Sequence, residues 1–412
     1  MVLASFIFSK SRISEPMAKK NRILIIDALR GFALLGIILI HCVEHFEIFQ
    51  PTDPCSPFVL GADDDVFDTV IFLVGGKAYS IFALLFGYSF FIQIHSQEIK
   101  GVDFRRTFLW RLAVLFGIGL LHSLVYRGDI LHIYALMGTP LIALYTVKSR
   151  TLLILAGVCV LQVPLLVLLV ESFYDPSYVY TPYYGDGYFE RGESLYTTGS
   201  FWDVIRFNLY EARVVVWTWT YHTGRFFQLM ALFLVGLVIA RERYLENLKA
   251  KRHQIAFIGY FCLIMMLLSK LYQEAITSFQ WTEAQAILVT TVVQSYLNLL
   301  YTVAICCGFI LSYVYLSKYI KVFTYMASYG RMSLTNYMLQ AVVGVLIFYG
   351  FGLGWWDDLG ATWSLGVGAG LFLVQLWFSQ QWLRYYRYGP MEWFWRALTY
   401  RDFSIPIRKN DR

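Results

Sequence analysis

Residues 23–43 read ILIIDALRGFALLGIILIHCV, and this stretch decides the fold class. It is one apolar run of the length, roughly 20 residues, that a helix needs to cross ~30 Å of hydrocarbon. Three ionisable side chains, Asp27, Arg30 and His41, interrupt it. Each is costly inside a bilayer, so the stretch predicts a transmembrane helix that carries either a functional site or buried pairs.

The composition extends this interpretation to the whole chain. Of 412 residues, 58% are hydrophobic and only 15% are charged, whereas soluble domains carry about 25% charged residues. Aromatic residues reach 18%, and bilayer interfaces enrich Trp and Tyr. The net charge of +6 marks one membrane side and does not indicate nucleic-acid binding. The predicted partner is the lipid bilayer.

Nine further apolar runs follow the first one along the chain. Together they predict an all-α fold, a polytopic transmembrane helical bundle of about ten helices. No second domain and no clear internal repeat is visible. The nine runs lie near Val70–Ile94, Leu112–Tyr126, Ile130–Val147, Leu152–Val170, Phe226–Ala240, Ile255–Leu271, Ala284–Leu316, Ala327–Phe351 and Thr362–Trp382.

The distribution of Lys and Arg predicts the orientation. If the N-terminus is cytoplasmic, the segments on that side hold 26 Lys or Arg and the segments on the other side hold five. This asymmetry follows the positive-inside rule and places both termini in the cytoplasm. The expected organisation is a basic N-terminus over 1–22, the bundle over 23–383, and a basic, aromatic tail over 384–412.

The largest outer segment is the loop 171–224. Within it, five apolar residues can share one helical face, which predicts a helix lying on the outer interface. They are Phe201, Trp202, Ile205, Leu209 and Val216. At the other extreme of the chain, the first residues lack the order of a signal peptide, and Met1 and Met17 both stay open as the start.

Arg30 and His41 are the central pair of the first helix. They stand eleven positions apart, so on a helix they differ by only about 20° in direction and by about 16 Å along the axis. Arg30 could bind an anionic cosubstrate near the cytoplasmic end, and His41 could act as a general base deeper in the membrane. The structural alternative pairs Asp27 with Arg30 and leaves His41 bonded to a neighbouring helix. From the residues alone, this alternative is favoured.

Two short motifs have metal-binding forms, and both have simpler interpretations. His41-Cys42-Val43-Glu44-His45 matches H-x-x-E-H, with two histidines at i,i+4, but no third zinc ligand can be assigned. Asp64-Asp65-Val66-Phe67-Asp68 matches D-D-x-x-D, yet an acidic first helical turn favoured by the helix dipole explains it better. No metal site is therefore predicted.

Four further polar residues are candidate substrate-binding groups. Lys77, inside the second run, either meets an anionic substrate or extends towards the outer surface. His122 and Asp129 flank a tight outer hairpin, and they either face a shared cavity or cap the turn. Asn336 is a candidate for hydrogen bonding across helices, as is Gln340 at i+4 in the same run. Asp27 joins this set through its position beside Arg30.

Five blocks of sequence resemble the YeiB-like membrane proteins, a family defined as a domain of unknown function. That family is similar in turn to the transmembrane acyltransferases, among them the acyltransferase-3 proteins and the lysosomal heparan acetyltransferase. The blocks cover most of the chain. They are Ile26–Gly36 (IDALRGFALLG), Gly76–Gly87 (GKAYSIFALLFG), Gly128–Leu136 (GDILHIYAL), Gly330–Tyr337 (GRMSLTNY) and Gly389–Arg396 (GPMEWFWR).

The more distant resemblance implies catalytic roles for Arg30 and His41. The acyltransferase-3 group carries an R-x10-H signature in its first helix, and these two residues reproduce it. Many YeiB-like members have Asn at the position of His41. In this respect the chain departs from its nearer family towards the catalytic one.

The resemblance implies a bacterial plasma membrane protein with acyl-CoA as cosubstrate and no metal. The acyl group would pass from the cytoplasmic side to a sugar or lipid of the cell envelope. A transporter of small anionic or amphipathic solutes is the alternative, with Arg30 and Lys77 lining an anionic pathway. A scaffold with merely paired charges is the third interpretation. The oligomeric state stays open.

Overall fold

The computed structural model describes residues 24–175, 177–180, 187–276 and 279–409. The predicted basic N-terminus and the first residue of the predicted first helix lie outside the described residues. Within the described part the chain is helical, which confirms the all-α prediction. The one β contact there is an isolated antiparallel bridge between Tyr386 and Arg408.

Eighteen helices form the described part of the chain, and every predicted apolar run lies on one or two of them. They are α1 Leu24–Val43, α2 Asp63–Val74, α3 Ala78–Glu98, α4 Arg105–Ser123, α5 Leu131–Met137, α6 Pro140–Leu144, α7 Ser149–Leu161, α8 Val163–Tyr174, α9 Tyr188–Thr198, α10 Phe201–Leu209, α11 Glu211–His222, α12 Arg225–Arg241, α13 Leu248–Ile276, α14 Glu283–Leu316, α15 Val322–Arg331, α16 Ser333–Phe348, α17 Ala361–Tyr385 and α18 Pro390–Tyr400.

By length and apolarity, six helical segments can cross a membrane, and up to eight if each of two bent pairs is one span. The chain is therefore a multi-pass membrane protein. Two predicted spans lie outside this set. Helix α4 opens with Arg105 and Arg106 and also carries Arg111, while α5 and α6 together form only a short apolar segment, Leu131–Leu144. The number ten and the side of the termini stay predictions.

Four predicted runs are broken, where the apolar pattern suggested continuous helices. The second run begins earlier, at Asp63, and is interrupted before Lys77, where Gly76 has φ +73°. The fifth is interrupted at Gln162, which is left-handed at φ 51°. The ninth run bends by 79° beside Met332. A similar bend of 69° separates α11 from α12, just before the sixth run. The fourth is divided before Pro140, whose ring cannot continue a regular helix.

Reciprocal glycine contacts fix the helices that carry the candidate site. A Cβ on Gly31 of α1 would collide with the backbone of α15, and a Cβ on Gly330 of α15 would collide with the backbone of α1 at Asp27. Gly87 of α3 and Gly236 of α12 meet in the same way. Small residues allow such close approach in membrane proteins. The wall that carries Asp27 and Arg30 is therefore set by backbone contact.

The two ends of the bundle differ, and each is named here by its residues. The basic end contains the connections after α3, before α7 and after α12, together with α18 and the tail 384–409. The opposite end contains the residues after α1, the hairpin between α4 and α5, and α9 to α11. The predicted interface helix of the outer loop is two helices, because the chain turns at Tyr210 between α10 and α11. On α10, Trp202 and Leu209 are each 66% exposed.

Candidate functional site

A cavity of about 2610 Å³ opens at the basic end and runs into the bundle. Ligand pockets for drug-sized molecules usually measure about 300–1,000 Å³, so this one accepts a large ligand. Ten Lys or Arg and five Asp or Glu line it. The ten cationic residues are Arg30, Lys100, Arg111, Lys148, Arg150, Arg241, Arg243, Arg331, Arg387 and Arg396.

Arg30 and Asp27 lie together in the wall of this cavity. Nη1 of Arg30 donates to Oδ1 of Asp27 at 3.1 Å, and Nη2 donates to the hydroxyl of Ser89 on α3. The pairing that the structural alternative predicted is therefore present. The Arg30 side chain is nevertheless 22% exposed, so a ligand in the cavity can reach it.

The inner end of the cavity stops short of His41. Its deepest lining residues include Ile37, Leu131 and Tyr337. Ile37 lies one turn before His41 on α1, and the residues that line the cavity do not include His41. Although Arg30 and His41 share one face of α1, the cavity that reaches Arg30 does not reach His41. The ring of Tyr337 closes this end, with its centroid 5.4 Å from that of His122.

His41 lies beyond the inner end, among aromatic rings. The centroids of Tyr126 and Phe46 are 5.1 Å and 5.5 Å from its own. The imidazole is only partly buried, and its Nδ1 atom has no hydrogen-bond partner among the described residues. The neighbouring-helix hydrogen bond of the structural alternative is therefore not made through Nδ1.

His122, Asp129 and His132 form one buried cluster beside His41. Nδ1 of His122 lies 2.8 Å from Oδ1 of Asp129, and Nδ1 of His132 lies 3.1 Å from Oδ2. The backbone N–H of Leu131 also donates to Asp129 at 3.0 Å. The second alternative from the sequence holds, since the carboxylate caps the hairpin, while the cavity at the basic end is lined by neither His122 nor Asp129.

This arrangement has the form of an oriented base. Because Asp129 accepts at Nδ1 of each ring, the proton is assigned to Nδ1 and Nε2 is left with its lone pair. In the part of the chain that the structure describes, neither Nε2 has a hydrogen-bond partner. His122 is the better placed of the two, because Tyr337 at the inner end of the cavity is its neighbour.

A buried ion pair covers the cluster from the opposite end. Nε of Arg127 donates to Oε2 of Glu47 at 2.6 Å, and Nη2 donates to the Glu47 carbonyl at 3.0 Å. Arg213 donates to the Arg127 carbonyl at 2.8 Å. Sequence reasoning missed this pair, because 80 residues separate its members and only the fold brings them together. An Arg inside a short outer hairpin is the one signal that could have pointed to it.

Lys77 and Asn336 do not line the cavity. Lys77 is 5% exposed at the break between α2 and α3. Its Nζ is 3.4 Å from the Ile71 carbonyl and lies over the rings of Phe72 and Tyr301. It points back along α2, towards the opposite end.

Asn336 ties three helices together. Its amide donates to Ser379 on α17 at 2.9 Å and to the Tyr329 carbonyl on α15 at 3.2 Å. This is the cross-helix bonding that the sequence predicted for it.

The H-x-x-E-H motif does not keep its helical geometry. Helix α1 ends at Val43, and His45 has φ 46°. His45 bonds Ser364 at 2.9 Å and stacks on Phe348, while His41 faces Tyr126. Among the described residues, no group of three or more His, Cys, Asp or Glu side chains is placed to hold a metal ion.

Two family profiles match different halves of the chain. Residues 22–184 match the profile described as heparan-alpha-glucosaminide N-acetyltransferase, catalytic. Residues 239–402 match the profile described as protein of unknown function (DUF418). Arg30, His41, His122 and Asp129 all lie in the first region. The first half of the chain is thus similar to a membrane acyltransferase.

Three relatives extend over nearly the whole chain. The uncharacterized protein YxaH of Bacillus subtilis (strain 168) is 27% identical over 97% of this chain and 99% of its own length. The uncharacterized protein YeiB of Escherichia coli (strain K12) is 28% identical over 94% of this chain and 98% of its own length. An uncharacterized 39.9 kDa protein of Bacillus acidopullulyticus is 26% identical over 96% and 99%. The resemblance to YeiB-like membrane proteins is confirmed.

Proposed function

We propose that this YeiB-like membrane protein is an acyltransferase that moves an acyl group from acyl-CoA to a sugar or lipid acceptor of the cell envelope. One observation carries the proposal. A wide basic cavity leads past Arg30 to Tyr337, and an imidazole oriented by a carboxylate lies against that same ring. One bundle thus offers cations for a polyanionic donor and a base that can deprotonate the acceptor.

The basic end suits acyl-CoA. The donor carries several phosphate charges on a long flexible arm, and the cavity offers both an excess of cations and ample length. Arg30 is the lining cation that α1 carries, and it would bind an anionic or carbonyl oxygen of the donor. Asp27 would hold its guanidinium in place.

The chemistry requires one proton transfer and one substitution. The Nε2 lone pair of His122 would remove the proton from the acceptor hydroxyl or amine, with Asp129 stabilising the imidazolium that forms. The freed oxygen or nitrogen attacks the thioester carbonyl, a tetrahedral intermediate forms, and the C–S bond breaks. The CoA thiolate leaves and takes up the proton. His41, beside the same rings, would bind or activate the acceptor.

The acetyltransferase profile supports this proposal, because it spans every residue given a chemical role above. With the orientation expected from the positive-inside rule, the cavity mouth would face the cytoplasm, where acyl-CoA is found, and the membrane would be a bacterial plasma membrane. Lys77 lies apart from the cavity and would guide the acceptor from the opposite end. Asn336 would act by holding α16, which carries Tyr337.

Acyl transfer by the purified protein tests the proposal. The full chain is reconstituted in liposomes with labelled acetyl-CoA and a bacterial envelope extract, and labelled products are counted. We expect label transfer that His122→Ala and His41→Ala abolish, while Asp103→Asn, in an exposed ion pair at the basic end, transfers normally. Full transfer by both histidine variants would exclude the proposed chemistry.

A transporter is the second candidate, and the broken helices favour it. Transporters place binding sites at discontinuous spans, and this chain has two pairs bent by 69° and 79°. The same liposomes separate the two functions. Solute that crosses the membrane without any covalent change, together with no labelled product, would establish transport instead.

A further inference from the structure

Gln340 of α16 is a buried amide with neither of its polar atoms bonded. The side chain is 0% exposed, and neither Nε2 nor Oε1 has a hydrogen-bond partner among the described residues. An amide buried in this way is unfavourable unless a ligand supplies the missing bonds. Two other buried Gln residues, Gln375 and Gln228, show the contrast. Gln375 is bonded to Tyr329 and to Asn336, and Gln228 is bonded to Tyr79.

The position of Gln340 on α16 shows where its amide points. Tyr337, Gln340 and Gly344 are at i, i+3 and i+7, so they share one helical face. Tyr337 meets His122 at one end of that face. At the other end, a Cβ on Gly344 would collide with the ring of Phe46, which is a neighbour of His41. Gln340 therefore faces the region between His122 and His41.

Unbonded polar atoms on three helices thus belong to this part of the bundle. These atoms are the amide of Gln340 from α16, Nδ1 of His41 from α1 and Nε2 of His122 from α4. An amide presents a donor and an acceptor side by side. This set differs from the basic end, where guanidinium and ammonium groups collect.

We propose that Gln340 binds two adjacent hydroxyls of the acceptor, so that the acceptor is a sugar or another vicinal diol. One hydroxyl would donate to Oε1 and its neighbour would accept from Nε2, which satisfies both amide atoms at once. The reacting hydroxyl or amine would then lie towards His122. An ionised carboxylate or a phosphodiester cannot make this pair of bonds, because it has no proton to donate to Oε1. The inference rests on the proposed function for the identity of the site, and it names the acceptor class.

Direct binding tests the inference without any acyl transfer. The full chain in nanodiscs is titrated with methyl glucoside and with its 3-deoxy analogue, which has no vicinal ring hydroxyls, and intrinsic tryptophan fluorescence is recorded. We expect the wild type to bind the glucoside at least about tenfold more tightly, since a site built for hydroxyls rejects an analogue that lacks one. Gln340→Met, similar in length and apolar, should lose this preference.

A matched variant separates binding from folding. Gln375→Met removes a buried amide that is bonded on both sides, so we expect it to lower the melting temperature and keep the sugar preference. Gln340→Met should melt no lower than wild type, because it removes an unpaired group. Equal affinity of the wild type for both glucosides, or an unchanged preference in Gln340→Met, would overturn the inference. Because no donor is present, a failure of acyl transfer would not produce either result.

Discussion

The two ends of the bundle are built on opposite principles. At the basic end, charged side chains surround a wide cavity and remain accessible to water and ligand. At the opposite end, a few ionisable groups are held by one another in a dry interior, as Asp129 is by two histidines. The basic end can attract an anionic ligand without fixing its exact position. The opposite end works only if a few atoms keep their exact positions. A donor with many charges and an acceptor that must be deprotonated need these two different environments.

The difference predicts its largest effect at Asp129. Asp129→Asn keeps the shape of the side chain but no longer fixes the proton of His122 on Nδ1, so Nε2 ceases to be a dependable base. We expect the rate of acyl transfer to fall by roughly 10²–10⁴-fold. Initial rates in liposomes measure it. An increase in the KM of the acceptor alone, with kcat unchanged, would mean that Asp129 serves only to shape the site.

The second effect concerns stability at the same end. Arg127→Ala leaves Glu47 without its partner in a region where Arg127 itself is only 1% exposed, and breaking such a pair costs about 3–5 kcal/mol. We expect a large fall in melting temperature in detergent. Arg105→Ala, which opens the exposed pair with Asp103 at the basic end, should leave it unchanged. Equal falls in the two variants would contradict the comparison.

At the basic end we expect a smaller effect, on the binding of acyl-CoA. Arg30→Met removes charge-assisted hydrogen bonds worth about 1.5–3 kcal/mol, which corresponds to a rise of roughly 10–100-fold in KM for acyl-CoA. Turnover at saturation should change less than KM, since Arg30 lines the cavity and His122 does not. The double variant Asp27→Asn, Arg30→Met removes both charges of the pair and serves as a control for folding. A fall in kcat with KM unchanged would place Arg30 in the chemistry instead.

How far the sequence predicted this arrangement depends on the range of the interactions. Helix α1 and its Arg30 were predictable because hydrophobic length and charge are local properties of one stretch. The break at Gln162 was not, since a left-handed conformation in a residue other than glycine is imposed by packing. The same holds for Gln340. Its helix was predicted, but the absence of partners for its amide exists only once α1, α4 and α16 are in place.

The smallest predicted effect is at Glu392, where the tail meets the broken ninth run. Glu392 of α18 accepts from the N–H groups of Leu334 and Thr335 at 2.7 Å and 3.2 Å and from the Thr335 hydroxyl at 2.6 Å. It therefore caps the first turn of α16 beside the 79° bend. Glu392→Gln weakens this cap, and we expect a loss of about 1 kcal/mol in the free energy of unfolding.

The pH dependence of that loss decides which force acts on Glu392. Burial raises the pKa of this carboxyl above its ordinary value of 4.5, although the hydrogen bonds from Thr335 and Leu334 oppose the shift. A raised pKa in the folded state means that the folded protein holds the proton more tightly than the unfolded chain. The contribution of Glu392 to stability must then decrease as pH rises from about 4.5 to the folded-state pKa. Melting temperatures of wild type and Glu392→Gln between pH 4 and 8 should therefore converge on the alkaline side. If the two melting temperatures diverge on the alkaline side instead, the hydrogen bonds stabilise the ionised carboxylate of Glu392 more than its protonated form. The basic end would then also depend on precise hydrogen-bond geometry, as the opposite end does.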